Sequence, residues 1–270
     1  GVVTEEERWG GVHYLGHHSD RSFGAVPYLA RGLDRRGERV SVMVDTPRFS
    51  KAAARTVTSL TGEGGPTYLL LTHVDDSADH GKWAEHFPNL KRIFHEGDLG
   101  RYNWTGDETL GKVEVLLRGE TDAASSSGGL QTWTLDGVDA PGGPEDADGD
   151  FAVLHTPGHS PGSISLLFKE EGDGGGVLFT GDTYAYTTRD GGHMSGFPRY
   201  NSGGLDRQAD TLRRLKGTAH LWDAVAPGHG HARDYVRLCG EESSGEERRV
   251  KKATDVQEAV EDLMKNKRTW

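Results

Sequence analysis

Four short apolar runs in this 270-residue chain each lead into a histidine or an aspartate, and that repetition constrains the fold more than any bulk property. The run 68–72 delivers His73, followed by Asp75, Asp76, Asp79 and His80. The run 151–155 leads into Thr156-Pro157-Gly158-His159-Ser160-Pro161-Gly162, and 177–180 into Gly181-Asp182-Thr183. The stretch 223–226 leads into Pro227-Gly228-His229-Gly230. Short apolar runs bounded by turn residues read as buried strands, and glycine lets the backbone turn sharply where they stop. An α/β scaffold builds its site from loops at one sheet edge. The four segments therefore predict a single site assembled in space from residues far apart in sequence.

The remaining pattern fits sheets covered by helices. Residues 40–44 (Val-Ser-Val-Met-Val) predict a strand closing at Asp45 and Pro47. Phe49, Ala53, Val57 and Leu60 then recur at helical spacing up to Gly62. A second helix is expected near Asp79, with Trp83 and Phe87 on one face, and a strand at 90–94. The stretch 103–150 reads as a loop-rich insertion with strand-like pieces at 113–117 and 132–135. Strands follow at 151–155, 163–168 and 177–180, the last two joined by a glycine-rich hairpin turn. A helix is expected at 206–216 and a final one near 254–266, where Thr254 and Gln257 match a capping box. No internal repeat is evident. The order predicts a single α/β domain over 1–270.

Imidazole and carboxylate donors without thiolate suit zinc, iron or manganese, and a catalytic site more than a closed structural one. Cys239 is the only cysteine, which excludes an internal disulfide and a thiolate cluster and fits a reducing compartment. A lone cysteine reads as a small buried apolar residue. The net charge of -11 repels polyanions, so neither nucleic acid nor an acidic membrane is an expected partner. Arg248, Arg249, Lys251 and Lys252 form a short basic cluster that reads as a solvated helix face. No apolar run is long enough to span a bilayer, and Glu5, Glu6 and Glu7 are unlike a secretory leader. The expected location is the cytoplasm, or an organelle lumen such as a plastid after removal of a transit peptide.

On His155-Thr156-Pro157-Gly158-His159-Ser160-Pro161-Gly162-Ser163, then Leu178-Phe179-Thr180-Gly181-Asp182-Thr183, then Pro227-Gly228-His229-Gly230, the chain resembles the metallo-β-lactamase-fold hydrolases. That superfamily includes glyoxalase-II-like thioesterases, lactonases, nucleases and several oxidoreductases. The resemblance covers residues 36–235 and implies an αββα sandwich, two mixed sheets flanked by helices. It further implies that His159 is a ligand of a first metal, Asp182 a bridge, and His229 a ligand of a second. Asp79 and His80 match the family's Asp-His pair that opens a helix and serves the second metal.

The first motif departs from the pattern. Most members have His-x-His-x-Asp-His, whereas this chain has His73-Val74-Asp75-Asp76-Ser77-Ala78-Asp79-His80, two residues longer and without the second histidine. Either Asp75 or Asp76 fills that position, or neither does and the first metal is weak or absent. Oxygen donors would add iron or manganese to zinc as candidate ions. His155 reads as a residue behind the ligands, and His231 as unremarkable. His193, Arg199 and Tyr200 follow Asp182 in a Gly/Ser-rich loop and are candidate substrate contacts. His17, His18 and Ser19 are candidates for the site mouth.

The resemblance implies a hydrolase with two divalent metal ions, acting on an ester, thioester or lactone-type bond of a small molecule through a metal-bound hydroxide. One metal would polarise the carbonyl, and Asp79 or Asp182 would steer the proton. The Asp-rich first motif keeps open a non-haem iron oxidoreductase, and the missing histidine a binding or regulatory protein with a degraded site. Kinship at this level spans many chemistries.

Overall fold

The computed structural model describes residues 4–5, 9–16, 24–119, 129–147, 149–169 and 175–267. His17, His18, Ser19 and residues 170–174 of the expected hairpin turn lie outside the described residues.

Alternation along the strands sets up four layers. The first sheet holds β1 (Thr4–Glu5), β2 (Val12–Tyr14), β3 (Tyr28–Leu33), β4 (Arg39–Val44), β5 (Tyr68–Leu70), β6 (Lys91–His95) and β7 (Val115–Leu117). They lie in sequence order, antiparallel as far as β4 and parallel from there to β7. The first two parallel steps cross over through α1 (Lys51–Thr61) and α2 (His80–His86), and the third through 3₁₀ turns between β6 and β7. The second sheet comprises β8 (Thr132–Trp133), β9 (Phe151–His155), β10 (Ile164–Phe168), β11 (Gly176–Gly181), β14 (Trp222–Pro227) and β15 (Arg233–Asp234), ordered β15-β14-β11-β10-β9-β8. Only β11 and β14 pair in parallel there. Between these two come the hairpin β12 (Ala185–Thr187) with β13 (His193–Ser195), and α3 (Leu205–Leu215); α4 (Tyr235–Cys239) and α5 (Gly245–Lys267) close the chain.

Val42, Val44, Tyr68, Leu70 and Ile93 turn inward to meet Val153, Leu166, Phe179 and Ala224 of the opposite sheet. Their neighbours Met43 and Leu69 face outward and pack on Val57 of α1 and Trp83 of α2. On the other side Leu154, Leu167 and Leu178 pack on Leu212 of α3 and on Ala259 and Leu263 of α5. Two mixed sheets back to back, each covered by helices, make an αββα sandwich. Among the described residues no helix is long and apolar enough to cross a membrane.

The C-terminal helix differs from its expectation. It starts at Gly245, where Ser244 and Glu247 exchange capping hydrogen bonds (Ser244 N to Glu247 Oε2, 2.7 Å; Glu247 N to Ser244 Oγ, 3.2 Å). Thr254 is a mid-helix residue whose hydroxyl donates to Val250 O. The basic cluster is divided by the helix period: Arg249 pairs with Glu246 at the surface, whereas Arg248 and Lys252 are buried against Asp223. Cys239 is exposed rather than buried.

Candidate metal centre

The segments that follow β5, β9, β11 and β14 converge. His73, His159 and Asp182 offer ligand atoms that lie within 4.8 Å of one another, and Asp76, Asp182 and His229 form a second such group. Asp182 belongs to both, and its two oxygens face different ways. Oδ2 lies 3.9 Å from His73 Nε2 and 3.7 Å from His159 Nε2, while Oδ1 lies 2.8 Å from His229 Nδ1.

Asp75 and Asp76 both enter the cluster, on different sides. Asp75 Oδ2 stands 3.6 Å from His73 Nε2 and 3.6 Å from His159 Nε2, beside the first group, whereas Asp76 joins the second. Local backbone explains the division. His73 is extended, and Val74–Asp76 form one 3₁₀ turn. Successive residues of such a turn are rotated by about 120°, so adjacent carboxylates point in different directions.

Asp79 and His80 belong to neither group. Asp79 accepts from Phe49 N at 3.1 Å and from Lys82 Nζ at 2.6 Å. His80 is buried with Nδ1 3.1 Å from Arg92 Nη1 and Nε2 3.2 Å from Asp107 Oδ2. The two extra residues of the motif separate the helix start from the cluster, and Asp76 stands where the second group needs an acid. His193 is turned to α5, with Nε2 3.4 Å from Asp262 Oδ1. Arg199 and Tyr200 are exposed on the turn Pro198–Tyr200. Neither they nor His193 joins the ligand groups; the preceding Phe197 is the nearer side chain, its ring edge-on to His159 (6.4 Å) and to His229 (6.2 Å).

Several supporting residues escaped the sequence reading. Asp45 closes β4 and accepts from Thr72 N at 2.8 Å and Thr72 Oγ1 at 2.9 Å; that hydroxyl lies 3.0 Å from His73 Nδ1. Because the hydroxyl donates to Asp45, it accepts from His73, which puts the imidazole proton on Nδ1 and leaves the Nε2 lone pair facing Asp75 and Asp182. The strand-end rule applied to Asp45 would have found it. Asp98 follows β6 and ties two loops together, accepting from Val74 N (3.0 Å), Ser160 Oγ (2.7 Å) and Gly162 N (2.6 Å). A Cβ on Gly162 would sit 2.6 Å from Asp98 N, so the close approach requires glycine. Trp104 Nε1 donates to Asp75 Oδ1 at 2.6 Å, a contact no local pattern announces.

These residues fit divalent cations. Asp76 is buried with neither carboxylate oxygen hydrogen-bonded, and His73 Nε2 is buried without a hydrogen bond as well. Such groups are costly without a partner, and the imidazole and carboxylate donors are those of catalytic zinc, iron or manganese sites. The electrostatics agree. Burial pushes the Asp76 carboxyl well up, with Asp45 and Asp182 adding to it. Burial opposes charge on His229, yet the bond and charge of Asp182 raise it to about 9. The cluster attracts positive charge, and cations compete with protons for it.

Behind the first group, His155 stacks on His95 at 4.2 Å, both buried. Burial lowers His155 to about 4 and, with the neighbouring imidazole, His95 to about 3. Both values lie below the unfolded value of about 6.5, so the unfolded chain binds protons that the native pair refuses. The contribution is intact above that value and is lost as pH falls through it toward the folded values. At pH 5 the loss is roughly 2 kcal/mol for each histidine. Urea unfolding of His155→Phe at pH 7.5 and 5 should show a pH dependence smaller by about that amount; an unchanged dependence would remove the pair as its source.

No family profile and no curated protein sequence matches the chain. Solved structures do. The DIM-1 metallo-β-lactamase superposes with a TM-score of 0.55 at 14% identity, covering 91% of this chain and 97% of its own. A metallo-β-lactamase from Hirschia baltica gives 0.54 at 14%, covering 94% and 97%. A metallo-β-lactamase family protein from Thermus thermophilus gives 0.50 at 18%, covering 90% and 80%. The layers, the strand order and these likenesses together establish that the chain has the metallo-β-lactamase fold.

Proposed function

We propose that the protein is a metal-dependent hydrolase acting on small molecules with an ester, thioester or lactone-type bond. The observation that carries this reading is Asp182, whose two oxygens face two separate groups of candidate ligands. His73, His159, Asp182 and Asp75 would hold one divalent ion; Asp76, Asp182 and His229 would hold the other. Ions in such a site supply water that is acidic enough to attack at neutral pH and a Lewis acid for the carbonyl oxygen.

The chain's own residues do the positioning. Asp45 and Thr72 fix the tautomer of His73. Trp104 engages one oxygen of Asp75 and leaves the other toward the histidines. Phe197 presents an apolar ring to His159 and His229, which limits water on that side. Burial opposes charge on Asp182, but its His229 bond and the neighbouring imidazoles hold it ionised, and it is the proton-steering carboxylate. Asp79 is not, because Lys82 and Phe49 occupy it.

A second reading, non-haem iron oxidoreduction, draws on the three carboxylates of the donor set, which favour a harder ion than an all-histidine site does. Elemental analysis of protein purified without added metal, paired with ester, thioester and lactone assays, separates the two. Zinc or manganese at about two per chain with chelator-sensitive hydrolysis is the expected result. Iron with oxygen uptake and no hydrolysis would replace it with the second reading.

A further inference from the structure

A cavity of about 690 Å³ opens beside Asp75, between the start of α2 and the turn carrying Trp104. That volume accommodates a small organic molecule. Trp104 lines this cavity, is 59% exposed, and is anchored by its indole N–H to Asp75. The other charged lining residues are Asp79, Lys82, Glu85 and Asp107. Lys82, the only cation among these described lining residues, is bonded to Asp79. Asp107 is held as a carboxylate, burial being outweighed by its hydrogen bonds with Thr109 and His80. The wall is thus aromatic, with the carboxylates of Glu85 and Asp107 beside it.

We propose that this cavity receives the cationic end of the substrate, a quaternary ammonium or protonated amine carried on the leaving-group side of the bond to be cleaved. This rests on the hydrolase reading of the adjoining centre. An aromatic face attracts an alkylammonium through its quadrupole, and the carboxylates of Glu85 and Asp107 reinforce that attraction while repelling phosphate- or carboxylate-bearing tails. Hydrolysis of such an ester is balanced by water alone: the acyl carbon–oxygen bond breaks, water supplies the hydroxyl to the acid, and the proton goes to the departing amino-alcohol.

The test compares acetylcholine with 3,3-dimethylbutyl acetate, its neutral isostere, on the zinc-loaded full chain, and measures binding of choline by calorimetry. The expected preference in kcat/KM is about tenfold for the cation. It should fall toward parity in Trp104→Leu, survive in Trp104→Phe, which keeps an aromatic face without the N–H, and shrink in Glu85→Gln. Equal turnover of the two esters, or a preference unaltered in Trp104→Leu, overturns the inference and leaves the hydrolase reading standing. Choline binding that is lost in Trp104→Leu, with neither ester hydrolysed, supports the cation site and removes the ester part of the hydrolase reading. Absence of both binding and turnover overturns the inference and removes the ester part of the hydrolase reading.

Discussion

Asp182→Asn is expected to reduce bound metal from about two per chain to one or fewer, and to cut hydrolysis by at least a hundredfold, on the order of the upper end seen when mere supporting residues of a metal site are removed. The substitution keeps the size of the side chain and removes the charge. An amide offers one oxygen and one N–H₂ group, so it cannot present an acceptor to both His73/His159 and His229 as the carboxylate does. Far-UV circular dichroism should be unchanged, because the strands around it are held by the two sheet pairings of β11.

The informative comparison is with the two acids of the first motif. Asp76→Asn should lose metal from the second group, whereas Asp79→Asn should retain about the wild-type metal content, its carboxylate being committed to Lys82 and Phe49 N. Metal loss in Asp79→Asn with retention in Asp76→Asn would reverse this assignment and restore the ordinary family motif. Titration with a chromophoric chelator reads all three variants without depending on any substrate.

How much of this was legible beforehand depended on how local the signal was. The inner and outer faces of β4 and β5 follow from alternation alone, since Val42, Val44 and Leu70 face one core and Met43 and Leu69 another. The convergence of His73, His159, Asp182 and His229 was legible because each stands shortly after an apolar strand. The split between Asp75 and Asp76 was not, because it depends on a single 3₁₀ turn that composition does not announce. Asp79 and His80 match the motif as a dipeptide but stand outside both ligand groups, after two residues more than the ordinary spacing. Trp104 reaches Asp75 across 29 positions, a contact fixed only by tertiary structure. The start of α5 was hidden by charge. Ser244-Gly245-Glu246-Glu247 carries a capping box, yet the Arg/Lys run after it resembles a solvated surface, and two of its members are buried.

That buried half of the run leads to the largest expected stability effect. Lys252 is 2% exposed, and its ammonium donates to Asp223 Oδ1 at 2.7 Å, Ala219 O at 2.6 Å and Trp222 O at 2.5 Å. Arg248 Nε donates to the other oxygen, Asp223 Oδ2, at 2.9 Å. One carboxylate at the start of β14 therefore serves two buried cations on successive turns of α5. Asp223→Ala leaves both without a counter-charge and should destabilise the fold by about 3–5 kcal/mol, lowering the melting temperature by roughly 10 °C at this chain length. Arg249→Ala, which removes only a solvent-screened surface pair with Glu246, should leave stability essentially unchanged. The triple variant Asp223→Leu/Arg248→Met/Lys252→Met should recover much of the loss, because removing the acid together with both cations abolishes the desolvation penalty that a half-dismantled network retains. Metal content should stay at the wild-type level in folded Asp223→Ala, since α5 supplies no member of either ligand group. Thermal and urea unfolding of the four proteins decide the matter: a loss under about 1 kcal/mol in Asp223→Ala would mean that water reaches both cations and that the network contributes little.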